Sequence, residues 1–425
     1  MPKRSPTRFQ CARFLVLLCC VWSGVTFAKP APSGFRAAPQ SPAMQALQSG
    51  DFLRARSARA EDREERTWIK ARIHLAQFEL EKAANALANL SSSSPYHSEL
   101  SWLLAHARKD PVAIAASAAR YCAQGDPTGR SCVDAEFYEN RVVTPRLSLR
   151  STTRISMVTD APFPMVRAQV GKQIRGVVFD TGASQSVISL QSARNMGLAM
   201  TQGAFPIAVA GGEGLAQARL AVLPMVDFGP MQLWTVPVLV VDMPELDSAG
   251  VGLILSPQQV FDGKQVLFDF PRGEMQIGEE LGVNEIKSTR AVPYFAAGFD
   301  LVIRAQLAGG PSRFFGLDTG MEGPFVVSST YWDRLQPSGK GQTESVAGAV
   351  LYGAGAEAQV NPVYASEVRL GKSRINLAER GVRAEMKRYG TFDIAGLLGN
   401  GIWKDRQVIL DTRKHQWRMS LAAIP

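Results

Sequence analysis

The chain contains few cysteines and histidines, and this scarcity limits the chemistry that it can perform. Only five cysteines and four histidines occur among its 425 residues. The histidines lack the His-Glu-x-x-His spacing of a zinc peptidase, and they show no arrangement that would activate a cysteine nucleophile. We therefore expect neither a metal ion nor another cofactor.

A strongly basic surface is also missing. The formal net charge is +9, but four of the basic residues lie within the first 28 positions. No basic run with interleaved aromatic residues follows them, so we expect no nucleic-acid partner. With 46% hydrophobic and 20% charged residues, the composition is that of a globular protein with room for two or three domains.

Residues 1–28 have the pattern of a secretory signal peptide. A basic start is followed by an apolar core, and Thr26-Phe27-Ala28 places small residues where a signal peptidase cleaves. A membrane anchor is one alternative, but the apolar stretch of about 15 residues is short for a ~20-residue span. Lipidation at Cys19 or Cys20 is another. We expect export to the periplasm or the medium, with no membrane span in the mature chain.

Cys122 and Cys132 are the two cysteines that remain after the signal sequence. An even pair ten positions apart in an exported protein favours one local disulfide. Two unpaired buried thiols are the alternative, because the sequence does not show connectivity.

A helical region is predicted between a linker and the rest of the chain. Residues 29–41 are rich in Pro, Ala and Ser, which is typical of a linker. Residues 42–140 carry apolar residues with a 3.6-residue period, clearest from Trp68 to Leu90. The stretch 77–95 resembles the second half of a tetratricopeptide repeat, although no 34-residue period is present. The region is either a bundle packed on the following domains or a repeat that binds a protein partner.

The remaining sequence is an internal duplication. Val177–Ser184 contains an apolar run followed by Asp180-Thr181-Gly182, and Phe314–Gly320 repeats this pattern with Asp318-Thr319-Gly320. A single Asp-Thr-Gly is an ordinary strand-to-turn transition, whereas two copies in matching contexts indicate a repeated unit. A period near 140 residues is too long for a solenoid and predicts two lobes, at 150–285 and 286–425.

These repeats resemble the pepsin/retropepsin aspartic proteases over roughly residues 150–420. The resemblance implies a mostly β fold with two pseudo-symmetric β-barrel lobes, closer in size to a fused retroviral-type dimer than to pepsin. It implies that Asp180 and Asp318 form a catalytic pair. Further residues are implied to support this pair: Thr181, Gly182, Thr319 and Gly320. Glycine-rich hairpins are implied to form flaps over substrate, with four candidate residues: Gly212, Gly214, Tyr352 and Gly353.

The chemistry requires both aspartates. Two carboxylates held about 3 Å apart share one proton, so the ionised member activates a water and the protonated member donates to the substrate carbonyl. The expected function is an exported aspartic endopeptidase acting on peptides or proteins. Because one chain holds both aspartates, we expect a monomer.

Three residues depart from the family pattern. Met321 stands where lobe 1 has the small Ala183, Glu322 follows it, and Ser256 replaces the glycine expected after Ile254-Leu255. We expect the Met321 thioether to lie near the dyad and to desolvate Asp318. These departures leave an alternative, a catalytically inactive binding or adaptor protein of the cell envelope.

Overall fold

The computed structural model shows a helical region followed by two β lobes. The residues that it describes are 21–22, 40–126, 128–139, 141–149, 151–209, 215–282, 289–335, 342–343, 349–353, 356–377, 379–384 and 392–420. The predicted signal peptide and linker lie outside these residues, apart from strand β1 at Val21–Trp22, which pairs with β7 below, and the last two linker positions. Across these ranges, no helix is both long and apolar enough to span a bilayer.

Among the described residues, seven helices make up the N-terminal region. They are α1 (Pro42–Gln48), α2 (Phe52–Ser57), α3 (Arg63–Ala76), α4 (Leu80–Leu87), α5 (Pro95–Ala107), α6 (Pro111–Ala123) and α7 (Arg130–Tyr138). Four of them start with a side chain that accepts a backbone N–H bond from the first turn: Ser41, Asp51, Asp62 and Asp110. On α3, Trp68, Ile69 and Ile73 form the buried stripe that the sequence period predicts.

The last two helices of this region are joined covalently. Cys122 near the end of α6 forms a disulfide with Cys132 in α7, with the two Cα atoms 4.9 Å apart. The bridge closes the short connection between the helices, which pack side by side. It therefore ties α7 to the helices before it.

Lobe 1 contains a closed six-stranded barrel and further strands at its edges. Its strands are β2 (Arg146–Ser148), β4 (Met165–Val170), β5 (Gln173–Phe179), β6 (Ser186–Ser189), β7 (Phe205–Val209), β8 (Leu215–Asp227), β9 (Gln232–Val241) and β10 (Val251–Leu255). The barrel order is β8-β4-β5-β10-β6-β9, and it closes because β8 also pairs with β9. Short helices are α8 (Leu190–Asn195), α9 (Pro244–Ser248) and α10 (Pro257–Val260). Strand β2 pairs with β9 and lies just before residue 150, the predicted start of this lobe.

Lobe 2 repeats this plan. Its elements are β13 (Thr289–Ala297), β14 (Asp300–Leu307), β15 (Arg313–Leu317), β16 (Phe325–Ser328), α11 (Ser329–Leu335), β17 (Gln342–Thr343), β18 (Ala349–Gly353), β19 (Ala356–Tyr364), β20 (Glu367–Leu370), β21 (Ser373–Asn376), β22 (Gly381–Ala384), β23 (Gly396–Leu398) and a 3-10 helix (Asn400–Ile402). The parallel pair β5–β10 of lobe 1 corresponds to β15–β23, and β6–β9 corresponds to β16–β22.

A six-stranded antiparallel sheet joins the lobes. It contains β3 (Thr153–Ser156), β11 (Gln265–Asp269), β12 (Glu274–Gly278), β24 (Gln407–Asp411) and β25 (Gln416–Ser420), together with β13. The order is β3-β12-β11-β24-β25-β13, so each lobe contributes three strands.

The centre of this sheet, where β11 meets β24, obeys the pseudo-two-fold symmetry. Leu267 faces Ile409 at the middle of the pairing. On one side the Gln265 amide donates to the Asp411 carboxylate at 2.7 Å, and on the other Gln407 donates to Asp269 at 2.7 Å. All four polar side chains are buried, so each pair satisfies groups that would be costly to bury alone.

The Cys122–Cys132 bridge gives the first prediction. Replacing both cysteines by serine should lower the free energy of unfolding by about 2–3 kcal/mol, because the unfolded chain loses a short cross-link. Chemical denaturation followed by circular dichroism measures this change. Intact-mass analysis of the secreted protein after alkylation without reduction is the control, and two modified thiols there would contradict the bridge.

Candidate active site

The two repeated aspartates follow directly after equivalent buried strands. Asp180 comes after β5, and its backbone N–H donates to Leu255 O of β10 at 2.9 Å. Asp318 comes after β15, and its N–H donates to Leu398 O of β23 at 3.0 Å. In each lobe the strand behind the aspartate therefore holds its backbone in place.

Two threonines cross-link the aspartate loops. Thr181 N donates to Thr319 Oγ1 at 3.0 Å, and Thr319 N donates to Thr181 Oγ1 at 3.1 Å. Each hydroxyl then donates across to the other lobe, Thr181 to Leu317 O at 3.0 Å and Thr319 to Phe179 O at 2.7 Å. These four buried bonds fix the distance and the orientation of the two loops.

The glycines of the two loops leave room for the carboxyl groups. A Cβ on Gly182 would lie 2.7 Å from Asp318 Cγ, and a Cβ on Gly320 would lie 2.6 Å from Asp180 Cγ. Any other residue would collide with the aspartate of the opposite lobe. Each glycine thus faces the partner carboxyl, which shows that the structure brings the two aspartates together.

The pKa of Asp180 is raised well above its usual value. Burial is the main cause, and the charge of Asp318 and a hydrogen bond with it act in the same direction. The backbone N–H groups of Gly182 and Gly320, which donate to Asp180 Oδ1 at 2.7 and 3.3 Å, oppose this shift. The two buried carboxyls therefore behave as a coupled pair that retains a proton.

Two side-chain amides hold the aspartate loops from behind, and the sequence reasoning missed them. Gln258 Nε2 donates to Thr181 O at 3.2 Å and to Ala183 O at 2.7 Å. Asn400 Nδ2 donates to Thr319 O at 2.8 Å and to Pro162 O at 3.1 Å. Comparison of the repeats does not reveal them, because the two amides are offset by one position relative to the aligned motifs. The longer glutamine compensates for that offset.

The three residues that depart from the family pattern have different environments. The methyl carbon of Met321 would lie only 2.4 Å from a Cβ built on Gly399. Met321 itself is buried in an apolar cluster that α1–α3 share with lobe 2. Glu322 is half-buried, and burial followed by the charge of Glu379 raises its pKa. Ser256 is buried, and its hydroxyl has no hydrogen-bond partner within the described ranges.

The structure adds packing contacts to the expected role of Met321. Its side chain packs against Gly399 and belongs to the apolar cluster that includes residues of the N-terminal helices, while the desolvation of Asp318 stays a prediction. The small Gly399 in lobe 2 accommodates the large Met321. Lobe 1 has the reverse combination, with small Ala183 and larger Ser256.

The flap candidates are only partly described. Gly212 and Gly214 lie outside the described residues, between β7 and β8, which pair antiparallel. Tyr352 and Gly353 lie in β18, which pairs antiparallel with β19. Both glycine clusters are thus flanked by paired strands, at equivalent places in the two lobes.

A cavity of about 200 Å³ lies beside the dyad loops, between the helices and both lobes. Its lining includes Ser184 and Gln258 from lobe 1, Phe299 and Asp300 from lobe 2, and His106 from α5. Across the part of the chain that the structure describes, no group of three or more His, Cys, Asp or Glu side chains could hold a metal ion.

Comparison with known proteins finds a family match within lobe 1. Residues 166–256, nearly all of the lobe 1 barrel, match the family model of aspartyl proteases. A solved structure, an aspartic proteinase from Irpex lacteus, is similar with a TM-score of 0.41 and 10% identity, and the match covers 64% of this chain and 98% of that one. A search of curated proteins finds no match. The family match therefore relates the lobe 1 barrel of this chain to the aspartyl proteases.

Proposed function

We propose that the chain is an exported aspartic endopeptidase whose catalytic pair is Asp180 and Asp318. The observation that carries this proposal is the reciprocal hydrogen bonding of Thr181 and Thr319. These bonds hold the two loops so close that the glycine of each loop lies against the aspartate carboxyl of the other. Such a pair serves hydrolysis by water attack and needs no cofactor. The substrate is a peptide or protein, and the complete pair within one chain supports a monomeric enzyme.

The proposed mechanism gives the two carboxyls different roles. Asp180 Oδ1 accepts both loop N–H groups, and these two bonds stabilise the ionised form of Asp180. Asp180 then serves as the general base that takes a proton from water. Asp318 holds the shared proton and donates it to the substrate carbonyl oxygen as the tetrahedral intermediate forms. Return of a proton to the amine completes cleavage of the bond.

Export is part of the proposal because two features support it. The first 28 residues have the signal-peptide pattern, and the Cys122–Cys132 disulfide is typical of an oxidising compartment. Cleavage after Ala28 would remove β1 from the edge of β7, and no active-site residue lies in the removed segment.

A second candidate function is a non-catalytic binding protein. The observation that favours it is the complete burial of both aspartates, which have no exposed surface in this conformation. Peptide turnover separates the two functions, since a binding protein would retain the cleft without cleaving. The helical region would then serve as the adaptor, and its tetratricopeptide likeness stays a prediction.

The dyad is tested by Asp180→Asn and Asp318→Asn. Each change should reduce peptide cleavage by a factor of about 10² to 10⁴ or more, because one amide cannot share the proton. A diverse peptide library incubated with the mature protein and read by mass spectrometry measures this. Asp160→Asn, at an exposed position, is the matched control. If the wild type and both dyad variants are equally inert with the fold verified, the protease proposal is wrong.

The raised pKa of Asp180 predicts the pH dependence of cleavage. Activity should require one ionised and one neutral carboxyl, so it should fall at low pH when both are protonated. Because burial raises the pKa, the pair should retain its proton above the usual aspartate value of 3.8, and the alkaline limb should lie above that value. A profile of kcat/KM against pH measures it. An alkaline limb at or below 3.8 would contradict the coupling.

Met321 gives a prediction that separates packing from electrostatics. Met321→Ala should lower the free energy of unfolding by about 2–5 kcal/mol, because it leaves a cavity beside Gly399. Met321→Leu conserves volume and should cost less than about 1.5 kcal/mol. Denaturation curves and pH profiles of both variants provide the measurement. A shifted pH profile with unchanged stability in Met321→Ala would show instead that the thioether desolvates Asp318.

A further inference from the structure

Two amide side chains lie behind the aspartate loops, one from each lobe. Gln258 belongs to α10, which follows β10, and Asn400 begins the 3-10 helix that follows β23. These are the two strands whose carbonyls hold the backbone of Asp180 and Asp318. Each strand thus supports an aspartate first, and the helical turn after it then brings an amide to the same loop.

Each amide donates with its amino group and leaves its oxygen unpaired. Gln258 Nε2 donates to Thr181 O at 3.2 Å and to a second carbonyl of that loop. Asn400 Nδ2 donates to Thr319 O at 2.8 Å and also to a second carbonyl. Among the described residues, Gln258 Oε1 and Asn400 Oδ1 are buried without a hydrogen bond. An apolar side chain would avoid that cost, which indicates that the donated bonds are what each amide contributes.

Each of the two threonine carbonyls shares a peptide unit with an N–H that binds Asp180. Thr181 O and Gly182 N are the two ends of one planar peptide unit. Thr319 O and Gly320 N are the ends of another. Gly182 N donates to Asp180 Oδ1 at 2.7 Å, and Gly320 N donates to the same oxygen at 3.3 Å. Two amides from different lobes are therefore connected, each through one peptide unit, to a single carboxylate oxygen.

A peptide unit transmits the effect of such a bond. When its carbonyl accepts a hydrogen bond, the unit becomes more polar and its N–H becomes a stronger donor, by roughly 10–30% per bond in a chain. The bond to the carbonyl also fixes the rotation of the peptide plane, so the N–H stays directed at its acceptor. Both effects favour a negative charge on the oxygen that accepts the N–H.

The two chains of hydrogen bonds oppose the other influences on Asp180. Burial, the charge of Asp318 and a hydrogen bond with it all raise the pKa of Asp180. The N–H groups of Gly182 and Gly320 lower this pKa. Because the amides strengthen and orient these two N–H groups, they act against protonation of Asp180.

We propose that Gln258 and Asn400 are positioning residues that stabilise the ionised form of Asp180, each through one peptide unit of an aspartate loop. The proposal rests on the proposed function, since the ionised Asp180 is the base that takes a proton from water. The pseudo-two-fold symmetry alone would assign each amide to the aspartate of its own lobe. The hydrogen bonds instead lead from both amides to Asp180.

The test removes the two donors and keeps the approximate size of the side chains. Gln258→Met and Asn400→Leu each weaken a bond to the ionised Asp180, so this carboxyl should take up its proton at higher pH. In each variant the acidic limb of the kcat/KM profile should move upward by about 0.5 pH unit. The double variant should move it by about 1 pH unit, because both chains end on the same oxygen.

Gln259→Met is the matched control. The neighbouring Gln259 amide donates to Pro237 O at 2.9 Å and accepts from Ser186 N at 2.9 Å, so it holds other segments than the aspartate loops. Its loss should lower stability and leave the pH profile unchanged. Charged side chains near the two positioning amides are the same in every variant: Lys109, Asp262, Glu322 and Lys404.

An NMR titration of ¹³C-labelled aspartate carboxyl groups gives the same quantity without turnover. Asp180→Asn and Asp318→Asn assign the two signals. Because the pair titrates as a unit, the lower of its two transitions should move upward in both Gln258→Met and Asn400→Leu. A change confined to the upper transition in Asn400→Leu would show that this amide acts on Asp318, and it would overturn the proposal.

A second pair of variants keeps the test decisive if loss of an amide prevents folding. Gln258→Glu and Asn400→Asp keep the shape of each side chain. An ionised carboxyl at either position donates no bond and adds a negative charge, so the lower transition should again move upward. An unchanged lower transition in every folded variant would overturn the proposal, and so would an equal shift in Gln259→Met.

The outcomes also separate this proposal from the proposed function. Upward shifts in the NMR titration without peptide cleavage by the wild type would support the positioning role and reject the endopeptidase. Cleavage by the wild type, with the pH profile unchanged in Gln258→Met and Asn400→Leu, would support the endopeptidase and reject the positioning role.

Discussion

The reciprocal bonds between Thr181 and Thr319 are the interaction on which the rest of the site depends. Each hydroxyl accepts a bond from a backbone N–H of the opposite lobe and donates to a backbone carbonyl of that same opposite lobe. The two loops are thereby held so close that only glycine fits beside each carboxyl. Burial is the main cause of the raised pKa of Asp180, and the closeness of Asp318 adds to it, because two buried carboxyls cannot both ionise at short range. The same threonine bonds that set the geometry of the loops thus also favour proton sharing.

The repeated motifs allowed much of the fold to be predicted from the sequence. The β fold and the two lobes are confirmed, and the family match covers residues 166–256 of lobe 1. The sequence allows these predictions because each Asp-Thr-Gly loop and the strand before it form one short, continuous segment. The joining sheet was not predicted. Its strands pair across about 140 positions, for example Gln265 with Asp411, and a period-2 pattern does not identify the partner of a strand.

Side-chain direction was the other limit of the sequence. The position of Met321 in the repeat indicates its backbone location, but its rotamer depends on the space above Gly399 and on the helices that pack there. Gln258 and Asn400 donate to the equivalent carbonyls of Thr181 and Thr319 from non-equivalent positions, so alignment of the two copies misses them. In the sequence, nothing distinguishes Arg130 from other helical arginines. Only the tertiary contacts show that it lies between Phe205 and Phe299. These features depend on packing between distant segments.

The paired amides and carboxylates at the β11–β24 junction carry an evolutionary consequence. Gln265 with Asp411, and Gln407 with Asp269, are the same pair related by the two-fold axis. Each strand thus presents both the donor and the acceptor that a copy of itself requires, as in an isologous homodimer interface. A single ancestral lobe could have assembled with its twin through this junction before tandem fusion. Within one fused chain the two halves need not stay identical, and they differ at equivalent positions: Ala183 and Ser256 in lobe 1 correspond to Met321 and Gly399 in lobe 2.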